Sequence, residues 1–152
     1  MTGITKRQLS RSGVIALWAL MLFSVGSLAD PDAGKYGWGQ NRAISRITDS
    51  VYRFGSDGQY GAYIVNAHGV VVIDGHYCAS GTMAWLKQEI KARHQQDVSY
   101  VILSHDHPDD ICRTELFEDT ATVIGHRNIR PHILREKRES AVPDIVFDEQ
   151  MD

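Results

Sequence analysis

Apolar and polar positions along this chain predict strands first and helices later. Val51-Tyr52-Arg53-Phe54 is the best strand piece in an unevenly alternating stretch that begins at Ile44, and Ser56-Asp57-Gly58 after it is a turn. Tyr60–Val65 reads as a second strand. Asn66-Ala67-His68-Gly69 makes a hairpin turn, with Gly69 able to take positive φ. Val70-Val71-Val72-Ile73 is a continuous apolar run, the pattern of a strand buried on both faces. From Ser80, a candidate N-cap, to His94 the period becomes helical, with Met83, Leu86 and Ile90 on one face. Val98–Leu103 is the next buried strand. A helix over Asp110–Phe117, a short strand over Ala121–Ile124, a charged helix over Asn128–Ser140 and a strand starting at Pro143 complete the pattern.

A strand-rich opening followed by strand–helix alternation predicts an α/β fold. Ligands in such layers sit at the carboxyl ends of the strands. Three loops share that edge here, at 74–78, 104–110 and 125–127, and the chemically interesting residues gather there.

The first 29 residues follow another plan. Lys6, Arg7 and Arg11 precede an uncharged run of 16 residues from Val14 to Ala29, which closes on Ser27-Leu28-Ala29. A positive start, an apolar middle and small residues at the cleavage positions make a secretory signal. The run is shorter than the roughly 20 residues a membrane-spanning helix needs, so no stable span is expected after cleavage. The expected organisation is a signal peptide at 1–29, a Gly- and Pro-containing lead-in at 30–43 and one domain at 44–152, in a periplasmic or secreted protein. Cleavage would remove three basic residues and no acidic one, taking the formal charge from -3 to -6. An acidic chain without a basic stripe gives no reason to expect nucleic acid as a partner.

The central motif is His105-Asp106-His107-Pro108-Asp109-Asp110, directly after the strand Val101-Ile102-Leu103. Two histidines at i and i+2 on a tight loop can aim both imidazoles at one point, and imidazole with carboxylate is the ligand set of zinc. Zinc in such a site keeps a position open for water and lowers the pKa of that water to about 7.

This stretch resembles the metallo-β-lactamase superfamily, which carries H-x-H-x-D-H after a strand. Val51-Tyr52-Arg53, the Val70–Gly75 run VVVIDG and Leu103-Ser104-His105 are similar to the family's surroundings of that motif, so the resemblance covers about Ile44 to Phe147. It implies half of an αβ/βα sandwich, the N-terminal portion, truncated at Asp152. It implies metal ligands at His105, His107, Asp109 and Asp110, with His105 and His107 on a first ion. Asp109 would serve a second ion and orient the attacking hydroxide, the catalytic role, while Asp74 would fix the loops by hydrogen bonds or cap a turn. Zinc is the implied cofactor, as one or two ions. Asp110 stands where the family has its last histidine, and a harder carboxylate there favours Mn or Fe over Zn or weakens the second site.

The expected activity is metal-hydroxide attack on an ester, lactone, thioester or amide of a small-molecule substrate. The alternative is a truncated, inactive half-domain with weak metal binding, whose exposed apolar face is covered by a partner or by self-association. His76 has two readings, a surface histidine or a further ligand. Cys78 and Cys112 also leave two. A disulfide in an exported protein would close a separation of 34 residues and contribute roughly 3–4 kcal/mol; otherwise one thiolate faces the metal. His126 lies at a strand exit in what reads as a helix entry, and His68, in a turn, with His94 and His132, on charged helices, are expected to be solvated.

Overall fold

The computed structural model describes residues 39–151. The expected signal peptide and most of the lead-in lie outside them. Among the described residues, no helix is long and apolar enough to cross a membrane.

Strands β1 (Ala43–Arg46), β2 (Val51–Ser56), β3 (Gln59–Asn66), β4 (Gly69–Ile73), β5 (Val98–Leu103), β6 (Thr122–His126) and β7 (Ile145–Phe147) form one sheet in sequence order. The first four run antiparallel, and β4 to β7 run parallel. Tight turns join the antiparallel part. Asp57-Gly58 connects β2 to β3 with both residues at positive φ, which an Asp-Gly pair tolerates. The parallel part needs crossovers: α1 (Thr82–His94), then α2 (Pro108–Ile111) with a 3₁₀ turn at Thr114–Phe117, then α3 (Ile129–Glu136). Crossovers between parallel neighbours are right-handed, so a sheet that always steps in one direction collects its helices on one face.

Burial follows that geometry. Val70, Val72, Val101, Leu103 and Val123 point at the helices and form one core with Met83, Leu86 and Ile90 of α1, Phe117, and Ile129 and Ile133 of α3. Among the described residues, the other face carries no helix. Its registered rows remain apolar, as in Ala62–Ile73–Ile102–Ile124–Ile145, yet Ile73 and Ile102 are half-buried and Ile145 is 42% exposed. The continuous apolar runs of β4 and β5 therefore do not mark strands buried on both faces. One side meets the helices, and the other carries the open apolar surface expected of half a sandwich.

Three elements depart from expectation. The N-cap of α1 is Gly81, with Ser80 accepting the Thr82 N–H from one residue earlier. The helix expected over Asp110–Phe117 breaks after Ile111, because Cys112 is extended and Arg113 takes φ 65. The charged helix stops at Glu136, where Lys137 takes φ 50, four residues short of Ser140.

Candidate metal centre

Parallel pairing brings the ends of β4, β5 and β6 to one edge, as the sequence predicts. Asp74 leaves β4 at φ 61, a left-handed conformation that aspartate tolerates better than most residues. This bend turns its carboxylate towards the end of β5, where Oδ1 accepts the Ser104 N–H at 2.8 Å and Oδ2 accepts the Ser104 hydroxyl at 2.7 Å. The loop-fixing reading of Asp74 describes its contacts; a plain turn cap does not.

Ser104 passes the constraint to the first histidine. Its Oγ lies 2.8 Å from His105 Nδ1. Its one hydrogen already goes to Asp74, so in this contact the hydroxyl oxygen accepts and His105 Nδ1 donates. The neutral ring then carries its lone pair on Nε2. That lone pair faces Asp110 Oδ2 at 2.9 Å, acceptor against acceptor. Such a pair needs positive charge between its members: a proton, giving an ion pair, or a metal ion. His107 closes the group from the other side, its ring centroid 4.7 Å from that of His105 and its plane turned by 80°. Ligand atoms of His105, His107 and Asp110 lie within 4.8 Å of one another, so two imidazoles and a carboxylate converge on one point. Three protein donors match the number of protein ligands in a hydrolytic zinc site.

Of the two aspartates, Asp110 joins the histidines. Consecutive helical residues point about 100° apart, so in α2 only one can face inward. Asp110 is half-buried and Asp109 is exposed. Gln59, at the start of β3, selects between them by donating its amide both to Asp110 Oδ1 and to the backbone carbonyl of Asp109, each at 2.6 Å. Nothing local in the sequence marks Gln59, which lies 50 residues from its partner.

The loop after β4 and the loop bearing the motif are latched together. The Gly75 N–H donates to the Asp110 carbonyl at 2.5 Å and the His76 N–H to the Cys112 carbonyl at 3.3 Å. A Cβ at Gly75 would stand 2.5 Å from the Cys112 carbonyl oxygen, so this close approach requires glycine. Cys78 and Cys112 form a disulfide across the same junction, which removes either sulfur as a thiolate ligand.

Other histidines also differ from expectation. His76 is neither a surface residue nor a ligand. It is fully buried, with Nε2 accepting the Ser56 N–H at 3.2 Å and Nδ1 3.0 Å from Ser80 Oγ. His94 packs edge-on against Tyr52 and Tyr63 and meets the Tyr63 hydroxyl, and burial pushes the Tyr63 phenol up to about 12. His126 closes β6 and packs against Phe147. His132 pairs with Asp106 while 44% of its side chain stays exposed, and His68 stands in an exposed turn as expected.

Burial lowers the pKa of His76 despite opposing hydrogen bonds from the backbone at Gln59 and Ser56, and burial lowers that of His94 in the same direction. Each ring takes up a proton less readily in the folded chain than in the unfolded one, where protonation occurs near pH 6.5. Their contribution is complete above that pH and is lost as the pH falls from there towards the folded values. The unfolding free energy measured by urea titration is expected to drop between pH 7.5 and 5.5, with a slope of up to about 1.4 kcal/mol per pH unit for each ring. His76→Asn should flatten part of the slope; an equal slope in that variant would show that His76 is not its source.

No protein-family model matches this sequence, and no curated protein does. Solved structures do. A metallo-β-lactamase from Pontibacter korlensis aligns with TM-score 0.60 at 17% identity, over 73% of this chain and 54% of that one. The fold is part of a metallo-β-lactamase fold. The enzyme from Hirschia baltica aligns with TM-score 0.61 at 14% identity, over 74% and 54% of the two chains. FIM-1 from Pseudomonas aeruginosa, solved in its mono-zinc form, aligns with TM-score 0.60 at 13% identity, over 72% and 52%. The chain thus spans about half the length of the metallo-β-lactamase structures it matches, with an α/β architecture of one sheet and one helical layer.

Proposed function

We propose that this chain carries the metal-binding half of a metal-dependent hydrolase, with His105, His107 and Asp110 as its ligands. The observation that supports it most is His105 Nε2 lying 2.9 Å from the Asp110 carboxylate, with Nδ1 held by a chain of hydrogen bonds from Asp74 through Ser104. That arrangement sets the tautomer and the direction of a ligand in advance, as carboxylate-oriented histidines do in metal sites.

Zinc suits two nitrogen donors and one oxygen, and Mn or Fe are the competing ions for a site containing a carboxylate. A zinc ion bound here would act as a Lewis acid on a carbonyl and would make water a nucleophile near neutral pH. The protein's own tasks are to present His105 in the ligating tautomer with His107 beside it, and to hold Asp110 by Gln59. Asp109, exposed one residue earlier, is proposed to orient the attacking water. The substrate class is a small ester, lactone, thioester or amide, acted on outside the cytoplasm after export. The other reading, a half-domain that binds metal weakly and does no chemistry, draws support from the exposure of His107.

Cobalt and zinc titrations of the chain, followed by turnover assays on the four substrate classes, test both. Binding of one ion per chain is expected, with His105→Ala and His107→Ala each abolishing it and any turnover with it. A wild-type chain that binds no divalent metal would sink the proposal. Metal binding without turnover would select the inactive reading.

A further inference from the structure

Asp106 lies between the two histidines in sequence and points away from them. Its Oδ2 accepts from His132 Nδ1 at 2.6 Å and stands 3.7 Å from the Arg138 guanidinium. Residues 105–107 belong to no helix or strand, so side-chain anchors must set their course. In an extended segment, residues i and i+2 share one side and i+1 takes the other. Drawing Asp106 towards α3 therefore directs His105 and His107 together to the opposite side, where their rings meet with centroids 4.7 Å apart.

The anchor itself is firm. Ile129 and Ile133 fix α3 in the core, and His132 sits beside them with its Nδ1–H directed at the carboxylate. Arg138 follows the helix end at Lys137, has only 12% of its side chain exposed, and is held by Glu136 at 2.5 Å. The loop is thus gripped from both flanks, by Asp74 on Ser104 from the β4 side and by His132 and Arg138 on Asp106 from the α3 side.

We propose that His132, with Arg138, is a positioning residue for the metal centre: through Asp106 it holds the His105–His107 loop in ligating geometry without touching the ion. This rests on the metal-centre reading above. Partners that orient ligands from outside the site typically change metal affinity by about 10–100-fold when removed.

The test is a competitive chelator titration with zinc, together with the visible absorption of the cobalt-substituted chain. His132→Ala is expected to weaken zinc binding by about 10–100-fold and to alter the cobalt spectrum. His132→Asn, whose amide can still donate to Asp106, should restore most of the affinity. If His132→Ala fails to fold, Arg138→Gln removes the other arm and should weaken zinc several-fold. Wild-type affinity and spectrum in a folded His132→Ala chain, or in Arg138→Gln where only that variant folds, would overturn the proposal while leaving the metal centre intact. Failure of the wild-type chain to bind either ion would overturn both.

Discussion

Replacing Cys78 and Cys112 together by serine is expected to lower the unfolding free energy by about 4 kcal/mol, from the loop-closure entropy of a 34-residue separation. That is a factor of nearly a thousand in the folding equilibrium, large beside the 5–15 kcal/mol of an ordinary domain. The consequence is also local. The bridge fixes the junction at which Gly75 and His76 donate to the carbonyls of Asp110 and Cys112, so metal affinity should fall along with stability. Urea unfolding of the oxidised chain, the reduced chain and the double variant, each with and without zinc, would measure both. Coincident curves for the oxidised and reduced chains would mean that the bridge adds nothing to this fold.

The second large effect is expected at Asp74. Asp74→Ala removes the acceptor of both the Ser104 N–H and the Ser104 hydroxyl, and frees that hydroxyl to donate to His105 Nδ1. The alternative tautomer then puts the proton on Nε2, where a metal ion would have to displace it. Zinc affinity is expected to fall by about 100-fold, at the upper end for groups that orient a ligand. NMR of ring-labelled histidine would show the change directly, as loss of the His105 Nδ1 proton in the metal-free variant while Nε2 keeps its own. Retention of Nδ1–H in Asp74→Ala would show that Ser104 does not set the tautomer.

Much of the fold was readable from residue patterns, for reasons that are local. The Asp57-Gly58 turn, the Gly69 hairpin and the apolar period of α1 each depend on neighbours within a few positions, and all three lie where expected. The motif loop was readable because the strand Val101-Ile102-Leu103 aims it at the sheet edge. What escaped depends on distant partners. The helix breaks at Cys112 and Arg113, beside a cysteine bridged to one 34 residues earlier. Asp110 faces inward because Gln59 reaches it from β3. His76 is buried because Ser56 and Ser80 satisfy its ring, and no periodicity announces such a pairing. His132 stays 44% exposed on its charged helix, and what escaped is its pairing with Asp106, 26 residues upstream.

The sequential order of the seven strands bears on how the molecule forms. Each strand pairs with its predecessor in the chain, so no pairing waits for a distant segment. The largest excursion between paired neighbours is residues 74–97, most of it taken up by α1. Loop-closure entropy grows only slowly with length, and sheets of low contact order fold faster than those that cross over repeatedly. The β2–β3–β4 meander can close first through its two tight turns, and every later strand finds its template already in place. Such a sheet can assemble in the order of its own synthesis, and the metal-site loop becomes ordered only once β4 and β5 are paired.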